Sequence, residues 1–237
     1  MVKCLIFDVD GVLVDSPHEM AWGEALAELM QGPMADLSVR SNYRPESYST
    51  TVYQQILAGR PRMEGARAIL NYYQIPDPDG TVAQHYAEHK QGKILDLISK
   101  GRFKAFQDAV DLALRADEAG WKLAVASSSK NANAMLEKVE LEDGSKLIDL
   151  FPANVCGMDF PRGKPDPAIF LAAANAAGAE PGNCWVAEDA PSGVQAAKAG
   201  GMKALGVARL NDEKLLEEAK ADRVVTDCTD IKIEELD

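Results

Sequence analysis

The chain has 237 residues, 46% of them hydrophobic and 26% charged, the composition of a folded globular protein and not of a disordered, collagen-like or disulfide-scaffold chain. Its length allows one large domain or a core with a smaller companion. The 25 basic and 37 acidic side chains leave a net charge of −12, so a broad face for nucleic acid is not expected. A small anion remains a fitting ligand, because surface charge is screened within about 8–10 Å and a few focused lysines and arginines dominate a cleft.

The first element is an apolar run at residues 3–7, which reads as a buried parallel strand and stops abruptly at Asp8-Val9-Asp10-Gly11. This opening reaches a charge without a small-residue cleavage site, so no signal peptide is expected. Residues 17–101 carry helical periods at 19–30, 49–57, 64–73 and 84–98, with the turn-rich Pro76-Asp77-Pro78-Asp79-Gly80 between the last two and no strand pattern. They predict a helical domain inserted after the first strand, its helices above the loop that bears Asp8 and Asp10, since the chain leaves and re-enters at the carboxyl edge of the sheet. Further on, apolar runs at 122–126, 184–187, 203–207 and 223–225 are interspersed with helical periods at 106–119, 131–139, 167–177 and 192–199, and Gly120 and Gly178 stand at helix ends. The alternation predicts an α/β fold with a parallel sheet, its core formed by residues 1–16 and 102–237. The acidic stretch 211–221 reads as a solvated surface helix. Cys4, Cys156, Cys184 and Cys228 lack ligand or redox spacing, which fits buried thiols in a reducing cytosol. No run approaches 18 apolar residues, so no membrane partner is expected.

Four polar clusters fall where predicted strands or loops reach one rim. Asp8 and Asp10 alternate along the strand with Val9 opposed. Two carboxylates so close suit a divalent cation, and one can attack phosphorus while the other manages a proton. Ser127-Ser128-Ser129-Lys130-Asn131 offers hydroxyls and early helix N–H groups to phosphate oxygens, or a simple helix cap. Gly163-Lys164-Pro165-Asp166-Pro167 fixes a lysine at a rigid turn, and Glu188-Asp189 adds a second acidic pair at a strand end, suited to an oxygen-lined Mg²⁺ site. Singly each has an ordinary structural explanation; jointly they make a complete phosphoryl-transfer site.

Residues 7–16, the Ser127 loop, Gly163-Lys164-Pro165 and Glu188-Asp189 resemble the four motifs of the haloacid dehalogenase superfamily, and residues 126–131 and 164–170 are similar to its β-phosphoglucomutase-like branch. The resemblance implies a Rossmann-like core with an α-helical cap, the cap being residues 17–101. It implies that Asp8 becomes an aspartyl phosphate, that Asp10 protonates the leaving oxygen and deprotonates the acceptor, and that Ser127 and Lys164 bind phosphoryl oxygens. Mg²⁺ would be held by Asp8, the main-chain carbonyl of Asp10 and Asp189, with Glu188 beside it. For the substrate it points to Gly59 and Arg62 in the cap, to His18 and Trp22 at i,i+4 on one helix face, to Lys90, and to Ser128, Ser129, Lys130 and Asn131. His18 lies two residues nearer Asp15-Ser16 than in the branch's pattern, and an exposed helix face is the plainer reading of Lys90.

The expected activity is Mg²⁺-dependent phosphoryl transfer on a small sugar phosphate, as conversion of β-glucose 1-phosphate to glucose 6-phosphate. The alternative is a sugar-phosphate phosphatase. A non-catalytic binding protein on the same fold is the third, against which the retained Asp8 stands. A cytoplasmic monomer, with a phosphorylated metabolite as its partner, completes the expectation.

Overall fold

In chain order, the computed structural model, which describes residues 2–236, begins with β1 (Cys4–Phe7) and β2 (Val14–Asp15), followed by helices α1 (His18–Gln31), α2 (Ala35–Val39), α3 (Thr50–Val52), α4 (Arg62–Tyr72) and α5 (Thr81–Ser99). After these come β3 (Lys104–Ala105), α6 (Gln107–Glu118), β4 (Lys122–Val125), α7 (Ala132–Leu136), β5 (Ala153–Asn154) and α8 (Ala168–Ala177). The chain ends through β6 (Cys184–Glu188), α9 (Pro191–Ala199), β7 (Lys203–Val207), α10 (Glu213–Glu218) and β8 (Arg223–Val225). It divides into two compact units, Met1–Asp15 with Lys104–Asp237, and Ser16–Phe103.

The first unit is an α/β, Rossmann-like fold. Its six-stranded sheet has the order β5-β4-β1-β6-β7-β8, and every neighbouring pair is parallel. A parallel sheet needs helices on its faces, so its strands read as continuous apolar runs and not as alternating ones. In β1 all four residues are inaccessible to solvent. Cys4 and Ile6 share a core with Ala124, Val186 and Ala204, against Phe170 and Ala173 of α8 and Val194 and Ala197 of α9. The alanines let these helices lie close to the sheet. Phe7 meets the edge of Phe151 at 5.7 Å. A separate antiparallel pair, β2 with β3, joins Val14 to Ala105 and Asp15 to Lys104.

The second unit is helical around its own core. Trp22, Ala25, Leu26, Leu29 and Met30 form the buried stripe of α1, at the spacing that puts residues on one helix face. Tyr86 of α5 tilts against Trp22 with ring centroids 5.1 Å apart, and its hydroxyl donates to the Trp22 carbonyl at 2.8 Å. Gly65 allows α4 to pack closely, since a Cβ there would lie 3.3 Å from Leu57 and 3.4 Å from the Trp22 ring. The Asp77 carboxylate accepts from the N–H groups of both Val82 and Ala83 and so closes the amino end of α5. Among the described residues no helix is long and apolar enough to cross a membrane.

Several elements differ from the sequence reading. The helix expected at 49–57 is α3 running into a π-turn at Tyr53–Leu57, where the Ala58 N–H reaches five residues back to the Tyr53 carbonyl. The helix expected at 131–139 stops at Leu136, because the next residues turn into a bridge between Glu140 and Lys146. The acidic helix is only Glu213–Glu218, and it buries Leu216 against Gly206. Strands β2, β3 and β5, two residues each, are too short for a periodicity to announce them. Replacing Asp77 with Ala is expected to destabilise the helical unit by about 1–2 kcal/mol, read as a lower urea midpoint at unchanged slope.

Candidate active site

The site grows from the carboxyl ends of three adjacent strands. The Asp8 N–H continues the sheet by donating to the Ala187 carbonyl at 3.0 Å, and the Ala126 N–H donates to the Phe7 carbonyl at 2.9 Å. These bonds set Asp8, Ser127 and Glu188 at neighbouring strand ends. Beyond Asp8 the chain folds on itself: Leu13 and Val14 N–H groups both reach the Val9 carbonyl, and the Gly11 N–H reaches Val14. Gly11 has φ +86°, and a Cβ there would fall on the Asp189 carboxylate. Only glycine serves both the left-handed turn and the close approach.

At the centre, the buried Lys164 ammonium donates to Asp8 Oδ1 at 2.7 Å and to Glu188 Oε1 in a short bond, and sits 4.9 Å over the ring of Phe170. Lys164 is 2% exposed, Asp8 5% and Glu188 not at all. The second Glu188 oxygen accepts from the Ala190 N–H at 3.0 Å. A Cβ at Gly193 would overlap this carboxylate, so α9 must present glycine to admit it. Ser127 Oγ donates to Asp10 Oδ2 at 3.1 Å and accepts from the Ser129 N–H at 3.0 Å, and Ser129 Oγ accepts from the Asn131 N–H at 3.2 Å. The hydroxyls of the Ser127 loop therefore both cap the following turn and face a carboxylate.

The electrostatics follow from massing acids around one base. Burial pushes Asp8 up to about 8, with the Glu188 and Asp10 charges adding and the Lys164 ammonium opposing. Burial, then Glu188 and Asp8, raise Asp189 well above the usual carboxylate range. Burial works against the charge of Lys164, but Asp8 and Glu188 outweigh it and raise its pKa. A divalent cation fits this excess of hard oxygen donors. Among the described residues no three His, Cys, Asp or Glu side chains form a metal cage by themselves; the expected set of Asp8, Asp189 and the Asp10 carbonyl has two acidic side chains and one main-chain oxygen. The close approach at Gly11 brings Asp189 against the turn that carries that carbonyl. Glu188, expected beside the cation, has its oxygens engaged by Lys164 and the Ala190 N–H, since a buried ammonium requires a carboxylate partner.

Lys130 is held by the Gly157 carbonyl at 2.7 Å and by Asp159 Oδ1 at 2.6 Å. Asn131 is buried, and Ser128 and Ser129 are half-buried. In the helical unit, His18 opens α1 and its Nδ1 lies 2.6 Å from the ammonium of Lys90, which stands 4.9 Å over the Trp22 ring. With the ammonium donating, Nδ1 accepts and the ring proton is on Nε2. Lys90 is 3% exposed, which corrects the exposed-face reading: it continues the buried stripe of Ala83, Tyr86, Ala87 and Ile94. Trp22 is a core residue at 4% exposure. Arg62 is half-buried at the start of α4, and Gly59, with φ +73°, ends the turn before it.

Sequence reasoning missed the role of Gly193 and the partner of Lys130. A signal for the first was a glycine five residues after Glu188, in the first turn of a helix. Gly193→Ala is expected to drive a methyl into Glu188, displace Lys164 and lower turnover on the order of 100-fold. Steady-state kinetics checks the loss, and circular dichroism checks that the helices persist.

The comparisons with known proteins agree with this geometry. The family model of haloacid dehalogenase-like hydrolases matches residues 2–201. The beta-phosphoglucomutase of Bacillus subtilis is 30% identical over 98% of this chain and 93% of its own length. The phosphorylated carbohydrates phosphatase of Thermotoga maritima is also 30% identical, over 93% of this chain and 92% of its own. The crystal structure of a beta-phosphoglucomutase from Clostridium difficile superposes with a TM-score of 0.75 at 26% identity, covering 100% of this chain and 96% of that one. With the family model running from β1 beyond α9, and with likeness at full length to enzymes of sugar-phosphate chemistry, the chain belongs to the haloacid dehalogenase-like hydrolases, as an enzyme of their β-phosphoglucomutase-like branch.

Proposed function

We propose that the enzyme transfers a phosphoryl group through an aspartyl phosphate on Asp8, and that it interconverts β-glucose 1-phosphate and glucose 6-phosphate. The observation that carries the chemistry is the pair of carboxylates at the end of β1, each held by a different donor: Asp8 by Lys164 and Asp10 by Ser127. Asp8, whose ionised form the ammonium beside it favours against burial, attacks phosphorus as the P–O bond to the sugar breaks. Asp10 gives its proton to the departing oxygen and takes one from the hydroxyl that later attacks the aspartyl phosphate. Lys164 and the Ser127 hydroxyl take phosphoryl oxygens as charge shifts onto them.

The family generally uses Mg²⁺, and the residues to hold it here are Asp8, Asp189 and the Asp10 carbonyl. When bound it would offset the negative charge shared by the carboxylates and the phosphoryl group. Substrate selection falls to His18, Gly59, Arg62 and Lys90 of the helical unit and to residues 128–131, with Trp22 as core packing beneath Lys90. A cytoplasmic monomer acting on a small phosphorylated metabolite is the setting this reading implies.

The mutase reading is favoured by Arg62, a guanidinium suited to a second phosphate, while the full-length likeness runs to the Bacillus subtilis mutase and the Thermotoga maritima phosphatase alike. A phosphatase reading has its own support. Lys130, the other cation for a second phosphate, is bound to Asp159 and Gly157, so such a phosphate would share this ammonium with a carboxylate. In that reading water, and not a sugar hydroxyl, discharges Asp8.

The test is an assay on β-glucose 1-phosphate with Mg²⁺ and a trace of sugar bisphosphate, following glucose 6-phosphate and free phosphate together. Glucose 6-phosphate without stoichiometric phosphate is expected; free phosphate alone would establish the phosphatase. Asp8→Asn is expected to abolish turnover, and Asp10→Asn to lower kcat by about 10²–10⁴-fold. Chelation with EDTA is expected to remove activity in the same assay and added Mg²⁺ to restore it.

A further inference from the structure

We infer that Arg209 is a positioning residue for the loop between Asp8 and Asp15, an inference that rests on the reading of Asp10 as acid and base. Arg209 follows the end of β7, and its side chain is 13% exposed. The guanidinium takes both oxygens of Asp108, at 2.7 and 3.0 Å, and lies 4.1 Å over the ring of Phe106. Its Nη2 also reaches the Val12 carbonyl at 3.4 Å. Phe106 in turn donates its N–H to the Leu13 carbonyl at 2.9 Å. Asp108 accepts from the Cys228 N–H at 2.8 Å, which ties the same assembly to the segment after β8.

Two successive carbonyls of the loop are thus held from outside it, Val12 by Arg209 and Leu13 by the residue on which Arg209 stacks. The loop's own hydrogen bonds, among Val9, Gly11, Leu13 and Val14, fix its shape but not its placement against the rest of the unit. That placement decides where Asp10 stands opposite Ser127. Lysine could not make these contacts together, because the planar fork and the stacking face belong to guanidinium.

The arrangement is a costly way to add stability. Burying ions has a desolvation cost that a pair of this kind often only balances, and here the Arg209 Nε is buried without a partner. Burial opposes the charge of Asp108, yet the Arg209 and Cys228 donors hold its carboxyl below the usual range, so the pair stays ionised. A charged pair retained under these conditions, at two carbonyls of the loop that carries Asp10, fits a role in geometry.

The experiment compares full-length Arg209→Lys and Arg209→Ala with wild type, by hydrogen–deuterium exchange and by kinetics on a phosphate monoester with Mg²⁺. In Arg209→Ala, residues 8–15 are expected to exchange roughly tenfold faster while β1 and the helical unit keep their rates. The kcat is expected to fall roughly 10- to 100-fold at unchanged KM, with Arg209→Lys between the two and free guanidinium ion restoring part of the loss to Arg209→Ala but none to wild type. Where Arg209→Ala does not fold, faster exchange of the same segment in Arg209→Lys carries the test. Unchanged exchange of residues 8–15 overturns the inference, and so does acceleration spread over the whole chain with wild-type kcat per folded molecule. If the segment loosens but wild type transfers no phosphoryl group, the positioning role is supported and the chemistry proposed for Asp10 is overturned.

Discussion

A lysine ammonium with almost no contact with water is the constraint on which the site depends. Lys164 lies between the carboxylates of Asp8 and Glu188 and over the Phe170 ring. Three charges in so dry a place carry a large desolvation cost, and removing one would leave the others uncompensated. Such a cluster persists because packed elements hold each member. Asp8 is fixed by the β1–β6 ladder, Glu188 by the Ala190 N–H and the missing Cβ of Gly193, and Lys164 by its turn. In the proposed mechanism the benefit is chemical: burial drives the Asp8 carboxyl toward the neutral form, which is no nucleophile, and the ammonium opposes that drive.

The parallel sheet explains how residues more than a hundred positions apart meet. In parallel strands every carboxyl end lies at the same edge, so loops from separate crossovers converge there. With β1 central and β4 and β6 beside it, the residues at or just beyond the ends of these strands are neighbours by construction: Asp8 and Asp10, Ser127, Glu188 and Asp189. Glycine at positions 11 and 193 then removes the last steric obstacle, letting two further carboxylates approach a region already rich in charge.

The long elements were legible in the sequence because each carries a physical signature. Apolar runs marked β1, β4, β6, β7 and β8, and the abrupt polar residues after three of them marked the site's edge. The antiparallel pair β2–β3 was not legible, since two residues on each side meet across a separation of about ninety and leave no local period. The π-turn after α3 depends on hydrogen bonding that reaches five residues back, as from the Ala58 N–H to the Tyr53 carbonyl, a matter of packing. In the site, the charged residues stood out by type, whereas their partners did not. Nothing in Asp159 or Arg209 distinguishes them from surface charges until the chain is folded. Lys90 is the opposite case: its spacing from Tyr86 and Ile94 put it on the buried face of α5, but its charge suggested exposure. Its partner, His18, lies 72 positions away.

The choice between mutase and phosphatase turns on how strongly the chain favours a second phosphate over a bound water. The Lys130–Asp159 pair bears on this directly. Asp159 has a side chain 93% exposed, and an ion pair at such a surface contributes about 0–1 kcal/mol, so exchanging its carboxylate for a phosphate costs little. A phosphate brings more charge and more acceptor oxygens than a carboxylate, and charge-assisted hydrogen bonds to it are stronger. The Gly157 carbonyl is a second partner of the ammonium, at 2.7 Å. In the proposed mutase reading Lys130 is therefore preset and not sequestered, since an exposed pair that contributes so little leaves the ammonium open to a second phosphate.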